Sequence, residues 1–473
     1  MRKKLNFTLF IFAIIYILIS LVNHYNFRTN TLDLGAYTNA LYDYANFNWN
    51  DSSTFKAENE NLLADHFDLY LILFSTLIFL FGTYTLLIVQ IISILLGALG
   101  VYKLLRLDSE KTAYWATLYF LSFFGVFSAV SFDYHSNTVA SMLIPWLFYY
   151  FKTNKINAYY IIFFFILIAK ENMSLFVAFI ALGLLFENFK NQQKRKVLLI
   201  TFLASFIWFL AITHWIMPMF SNNGTYPHFH YSSLGNSMLE VVFSAFKNPI
   251  EAIKMLFINH NNAEFGDYVK IELWIFLLLS GLFWLLKKPA FLIMLIPVFF
   301  QKLWHDNPQM WGVNGQYSIE FAPILTIGIF YVLNTLQILR NVALTFTIIL
   351  SFAASIRLMD NTTTFTNKAQ IRFYQLEHYK RDFDVEYIHQ KLNEIPEKAV
   401  VSSQSALLPH LALRPTIYNF PIIKDAEFII YCPMESPYPL KPWEFDSIIS
   451  LYKNSNDWKV ELDNKNLLVL IRK

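Results

Sequence analysis

Small groups of ionisable residues stand beside apolar runs in this 473-residue chain. Asp33 lies in Thr31-Leu32-Asp33-Leu34-Gly35. Asp65-His66-Phe67-Asp68 follows, then Asp133 and His135 in the turn 132–136, then Lys170-Glu171 between two short apolar segments. Ionisable groups at membrane depth are expensive to keep and point by default to function. A carboxylate at a membrane boundary can take the proton of an acceptor hydroxyl as a general base. A lysine there can hold a phosphate as a point charge. Each group also has a plainer reading. Asp33 could cap a helix, Asp65 and His66 could sit in a solvated loop, and Asp133 and His135 could hydrogen-bond a turn. Lys170 and Glu171 could neutralise each other. His228-Phe229-His230 puts both rings on one side of an extended segment, a pattern that fits an aromatic-rich loop better than a metal site. No His-Glu-x-x-His or Cys-x-x-Cys pattern occurs, so no metal ligands are assigned, with room left for a divalent cation.

The elements that must position these groups follow from hydropathy and charge. The chain is 56% hydrophobic and 15% charged, where a soluble domain carries roughly 25% charged residues. It reads as an α-helical polytopic membrane protein. Apolar runs at 5–22, 84–105, 112–131, 136–151, 157–170, 173–189, 197–217, 271–286, 289–304, 317–337 and 341–358 give about eleven spans, on a requirement of about 20 residues each. The run 5–22 follows a basic start with no small-residue cleavage site, so it reads as a retained signal anchor. Basic clusters interrupt the runs at Arg2-Lys3-Lys4, Lys103/Arg106/Lys111, Lys152/Lys155, Lys190/Lys194/Arg195/Lys196, Lys287-Lys288 and Arg340, and Lys302 stands apart. Loops rich in Lys and Arg stay in the cytoplasm. The N-terminus is therefore expected inside, with every cluster on that side and the tail outside.

That threading leaves several segments outside: 23–83, with Asp33, Asp43, Asp51, Asp65, His66 and Asp68; the turn at 132–136; the short link at 170–172; 218–270, amphipathic near 238–258; and the turn 305–316. The apolar end of the first, 69–81, is too short to cross and is expected to lie in or dip into the interface. The basic residues form no stripe, which argues against nucleic acid. Cys432, the sole cysteine, excludes an intramolecular disulfide.

Residues 360–473 differ from the membrane region 1–359. Apolar runs shorten and charge rises. A helix is expected over 370–392, and short buried strands at 400–401, 416–418 and 428–431. A closing hairpin is expected from 458–462 and 467–471 around Asp463-Asn464-Lys465-Asn466. This is a small α/β domain without a single glycine, so it has no dinucleotide or P-loop fingerprint.

Several stretches resemble a bacterial membrane-protein family, domain of unknown function 2079. They are Asp33-Leu34-Gly35 with Asn39-Ala40-Leu41, Asp65-His66-Phe67, Phe132-Asp133-Tyr134-His135, Lys170-Glu171-Asn172, Gln316-Tyr317-Ser318 with Pro323, and Ser405 to Leu411 with Ile417-Tyr418. Asn172 stands where a second acid is expected. That family in turn resembles the C-type glycosyltransferases, which take sugars from polyprenyl phosphate. The resemblance implies a bacterial inner-membrane protein that transfers a sugar from a lipid-linked donor to an acceptor hydroxyl on the outer face. It implies Asp33 as the base, Lys170 and His66 as partners of the leaving phosphate, and Asp133 and His135 as groups that bind sugar hydroxyls or orient Asp33. Asp65, Glu171, Gln316 and Tyr317 are further implied substrate contacts. Two other readings stand beside it. A scaffold would use the tail for docking and tolerate loss of Asp33. A transporter would need broken helices around a midplane site, whereas the ionisable residues gather at the outer boundary.

Overall fold

The computed structural model describes every residue except Met1, Asp51, Ser52, Ser53, Phe55, Ala57, Gln337, Ile338, Phe365 and Thr366. Asp51, one of the acids in segment 23–83, thus lies outside the described residues. The first helix, Arg2–Tyr25, divides its apolar surface. Phe7, Phe10, Ile14 and Ile17 are exposed, while Phe12, Tyr16 and Ile19 are buried against the bundle. Exposed apolar side chains of this kind suit a lipid surround, since lipid tails are as apolar as leucine.

Among the described residues, five helices are long and apolar enough to cross a membrane: Arg2–Tyr25, Tyr70–Arg106, Glu171–Asn188, Gln192–Phe220 and Arg340–Asp360. The bent pair Glu110–Ser122 and Phe124–Val130 makes a sixth if taken as one span. About eleven were expected from apolar runs, and the difference has local causes. The run 136–151 is split into Ser136–Ser141 and Ile144–Lys152, with Pro145 opening the second piece. The run 271–286 breaks at Gly281, whose φ of +95° only glycine takes without cost. Ile156–Leu167, Pro289–Leu303 and Phe321–Thr335 are apolar but shorter. The segment expected as a separate interfacial helix at 69–81 instead continues, through irregular turns and Gly82, into Thr85–Arg106.

In the outer loop expected at 218–270, the amphipathic stretch forms Met238–Lys247 and Pro249–Lys254. Val241, Ala252 and Met255 pack on Trp304, leaving Leu239, Phe243, Phe246 and Ile250 exposed.

The C-terminal sheet has five strands: β1 (Val401–Ser403), β2 (Ile417–Asn419), β3 (Phe428–Tyr431), β4 (Trp458–Asp463) and β5 (Leu468–Arg472). Their order is β2-β1-β3-β5-β4. β1 is parallel to β2 and β3, while β5 is antiparallel to β3 and β4. The β4–β5 hairpin closes where expected, because the Asn464 Oδ1 accepts from the N–H groups of Asn466 and Leu467 at 2.9 and 3.0 Å. The helix expected over 370–392 is confined to Val385–Asn393, capped by Asp384. Its first half holds only short 3₁₀ turns, because that backbone is engaged elsewhere. The Arg28 guanidinium donates to the carbonyls of Glu377, His378 and Lys380 at 3.1, 2.5 and 2.9 Å.

The sheet domain also clamps the first outer turn. The Thr31 N–H donates to Ser405 Oγ at 3.2 Å, and the Thr31 hydroxyl donates to the Asn419 Oδ1 at 2.9 Å. Asn39 Nδ2 donates to the carbonyls of Ala412 and Arg414 at 3.1 and 2.9 Å. Gly35 sits against this contact, and a Cβ there would meet Leu408 Cδ2 at 2.7 Å.

Candidate functional site

Asp33 occupies the middle of a five-residue π-helical turn, Thr31–Gly35, which runs directly into the helix Ala36–Ala45. Single π turns inside helical segments are frequent at functional sites. The turn is held from two sides, by Ser405 and Asn419 as above and by Asp133, whose Oδ2 accepts the Asn30 N–H at 2.9 Å. Asp133 is buried, with Asp33 beside it. Burial, then the Asp33 charge, pushes its carboxyl well above the ordinary value, against the Asn30 and Leu34 N–H groups. Asp133 therefore shapes the loop around Asp33 and keeps its own side chain turned to backbone.

The Asp33 Oδ1 lies 3.1 Å from His135 Nε2, and the other ring nitrogen of His135 lies 3.2 Å from the Asp133 carbonyl oxygen. Both ring nitrogens face oxygen, so a proton belongs between Asp33 and His135. Burial opposes ionisation of Asp33, but His135, with Lys170 and His66 behind it, holds the carboxyl below its ordinary value. The His135 N–H donates to the Gln90 Oε1 at 3.0 Å, fixing the backbone that carries the ring. Asp33 is about a quarter exposed at its side chain and His135 nearly buried, so the carboxylate is the member of the pair that can be reached.

A second group lies within electrostatic reach of the first. His66 Nδ1 faces the Glu171 Oε1 at 3.2 Å, and its Nε2 faces Lys170 Nζ at 3.2 Å. Glu171 needs a donor and the ammonium needs an acceptor, which selects the neutral ring protonated on Nδ1. Glu171 also takes the Phe67 N–H at 3.3 Å. Glu171 thus anchors His66, and Lys170 keeps further N–H groups for a ligand. Asp68 is buried beside these residues, its Oδ1 accepting the Tyr70 N–H at 3.0 Å. Burial raises its carboxyl to about 7 despite Ser136, Tyr70, Lys170 and His66.

The structure separates the two histidines of His228-Phe229-His230. His230 faces His305, with ring centres 5.4 Å apart. His228 stacks on His66 at 4.2 Å and contacts Asp65, its Nε2 3.5 Å from Asp65 Oδ1 and 2.6 Å from the Asp65 carbonyl oxygen. Asp65, His66 and His228 bring their ligand atoms within 4.8 Å of one another, close enough to hold a metal ion. One carboxylate with two imidazoles suits zinc or another first-row transition metal. The sequence reads this segment as an aromatic-rich loop, and it is His228 alone, with upstream partners, that enters this group. The Lys170 ammonium on His66 would have to turn away before a cation could bind there.

Of the remaining expected contacts, Gln316 is buried and hydrogen-bonds Tyr317, which lies within electrostatic reach of Asp33. Lys302 stands out in the sequence without a role, and Glu320 does not stand out at all. Lys302, at the end of Pro289–Leu303, is buried, donates to the Gly312 carbonyl at 2.5 Å, and lies 5.8 Å from the Tyr317 ring centre. Glu320 accepts from Asn137 Nδ2 at 2.7 Å and interacts electrostatically with Lys302 and Lys170. The only signal in the sequence was Lys302 itself, a cation detached from every basic cluster.

No curated protein matches the chain. The crystal structure of ArnT from Cupriavidus metallidurans bound to undecaprenyl phosphate is similar over 97% of each chain, with a TM-score of 0.54 at 11% identity. At that identity the likeness is one of fold. A family model described as "Predicted membrane protein (DUF2079)" matches residues 23–466, a region that holds Asp33, His66, His135 and Lys170. The chain belongs to the DUF2079 family of predicted membrane proteins and has an ArnT-like fold.

Proposed function

We propose that this protein transfers a sugar from a polyprenyl-phosphate donor to an acceptor hydroxyl, at the outer face of a bacterial inner membrane. The observation that carries the reading is the Asp33–His135 pair standing within electrostatic reach of Lys170 and His66, in a fold shared with a lipid-phosphate-bound ArnT. In this reading the bond between the sugar C1 and the phosphate oxygen breaks as the bond from C1 to the acceptor oxygen forms. The acceptor proton passes to Asp33, with His135 turning its proton to support the pair. The leaving lipid phosphate rests against Lys170. Asp65, His66 and His228 would hold a divalent cation if one takes part.

The membrane part is residues 1–359, with outer loops 23–83 and 218–270, and residues 360–473 are an outer-side domain. The basic clusters support an inner N-terminus, and the Thr31–Ser405 contact supports placing the domain on the side of Asp33. A direct test reconstitutes the protein in proteoliposomes with polyprenyl-phosphate hexoses and measures release of polyprenyl phosphate. Release that is absent from the wild type on a panel of such donors, or that persists in full in Asp33→Asn, rejects the assignment.

A further inference from the structure

The two amphipathic helices of segment 218–270 carry three kinds of surface, and one of them meets nothing in the protein. On Met238–Lys247, Leu239, Val242, Phe243 and Phe246 stand at the i, i+3, i+4, i+7 spacing of a single helix face. All four are exposed, Phe246 at 80%. On Pro249–Lys254, Ile250 and Ile253 are exposed in the same way, Ile250 at 78%. The opposite face is packed: Val241, Ala245, Ala252 and Met255 lie on Trp304, whose indole N–H donates to the Ala252 carbonyl at 3.0 Å. Glu240, Lys247, Glu251 and Lys254 take up the remaining exposed positions, two acids and two bases. One surface thus meets protein, one suits water, and the apolar one is bare.

The pair is held where membrane helices end. Lys270, buried at the start of Val269–Leu279, donates to the carbonyls of Met255 and Leu303 at 2.5 and 2.6 Å. Leu303 closes the apolar helix Pro289–Leu303. The chain on either side of the pair also presents bare apolar surface. Trp215 and Met219 are exposed at the end of the span Gln192–Phe220, and Ile271, Ile275 and Leu278 along Val269–Leu279. The contact of His228 with Asp65, and the Asn222 N–H donating to Glu60 Oε1 at 2.8 Å, put segment 218–270 on the side of the Asp33 loop.

We propose that Met238–Lys247 and Pro249–Lys254 lie in the bilayer interface on the Asp33 side, with Leu239, Phe243, Phe246 and Ile250 among the acyl chains. The proposal stands apart from the glycosyl-transfer reading. A large contiguous apolar face marks either a protein partner or a membrane. Lipid is the better fit, because none of the six bare side chains can hydrogen-bond, whereas a protein interface carries regular hydrogen bonds across it. The balanced charges of Glu240, Lys247, Glu251 and Lys254 call for no anionic headgroup. So placed, the pair holds Trp304, and with it the end of the helix that carries Lys302, at headgroup depth.

The test uses the full-length protein in phosphatidylcholine proteoliposomes, with a thiol-reactive fluorophore at Phe246→Cys or Ile250→Cys on the bare face, or at Glu251→Cys or Lys254→Cys on the charged one. These side chains are exposed, so the packed face is left intact, and buried Cys432 makes the wild type the labelling blank. Interfacial helices sink their apolar face about 5–10 Å into the boundary between headgroups and acyl chains. Labels on the bare face are therefore expected to lose most of their emission to a nitroxide near the carbonyl end of the acyl chain. They should lose less to one near the methyl end, and little to aqueous iodide. Labels on the charged face are expected to lose theirs to iodide, and phosphatidylglycerol should leave the pattern unchanged. Should a labelled variant fail to insert, Leu239→Cys carries the same comparison. Iodide quenching at all four positions means that the face stands in water and overturns the proposal. Protection from both quenchers, with crosslinks between copies through the bare face, means that a second chain covers it and overturns the proposal too. A pattern that needs phosphatidylglycerol overturns docking by apolar contact.

Discussion

Replacing Asp33 by Asn keeps the volume of the side chain and removes its capacity to take a proton. The amide can still face His135 across the 3.1 Å gap, and Asp133 still holds the Asn30 N–H, so the turn stays formed. General base catalysis contributes typically ~10²–10⁴-fold, which at 1.36 kcal/mol per decade is about 3–5 kcal/mol of barrier. On the proposed mechanism the donor KM should hold steady, because there Asp33 serves the acceptor and Lys170 the donor. His135→Gln should cost a similar factor, since Asp33 then loses the group it shares a proton with. The two residues form one unit, so the double variant should be no slower than about the worse single variant, as coupled neighbours are strongly non-additive. The assay is the single-turnover release of polyprenyl phosphate from labelled donor in proteoliposomes, with insertion checked by protease protection. Losses that simply multiply in the double variant would refute the paired mechanism. An unchanged rate in Asp33→Asn would refute the assignment of the base.

Lys170→Met should raise the donor KM with a smaller effect on kcat, because an ammonium in a partly dry site pairs with phosphate more strongly than in water; equal KM values would count against it. Asp68 is a carboxyl raised to about 7, so its contribution to stability is full below the unfolded value near 3.9 and is lost as pH rises through about 7. The size is roughly 4 kcal/mol for three units at 1.36 each. Asp68→Asn should therefore melt higher than wild type at pH 8 and close to it at pH 4 in detergent melting curves. Arg28→Met removes three charge-assisted contacts to residues 377–380 and should cost about 2–4 kcal/mol, seen as faster proteolytic release of the C-terminal fragment. A Cβ at Gly125 would run into the Ser318 carbonyl oxygen, so Gly125→Ala should destabilise by about 1–3 kcal/mol and, on the proposed function, weaken donor binding through the adjoining Gln316-Tyr317.

What could be read from the chain and what could not divides along distance in sequence. The β4–β5 hairpin was legible because its turn chemistry lies within a few residues, in Asn464 and its two N–H partners. The strands of the sheet were legible from short apolar runs, while their order, which inserts β1 between β2 and β3, was not. Asp33 and His135 were each visible as misplaced ionisable groups, yet their contact spans 102 residues and no local pattern announces it. His228 was judged against its neighbour His230, whereas its partners Asp65 and His66 lie far upstream. Lys302 and Glu320 sit at the ends of apolar helices, where burial by other elements gives them meaning. The helix over 370–392 was overpredicted because its spacing is helical but its carbonyls are claimed by Arg28.

The clamp of Ser405 and Asn419 on the Asp33 turn joins residues 374 and 388 positions apart, and this has a consequence for biosynthesis. The chain must cross the bilayer an even number of times between that turn and the sheet domain, since both end in the same compartment. During synthesis the Asp33 turn emerges first and waits, without its clamp, until the last segment has been delivered to the same side. A nascent or truncated chain then carries the acid without the scaffold that aims it. Completion of insertion and clamping of the Asp33 turn are thus one event, and on the proposed function a chain that threads the membrane with one crossing too few or too many is inert.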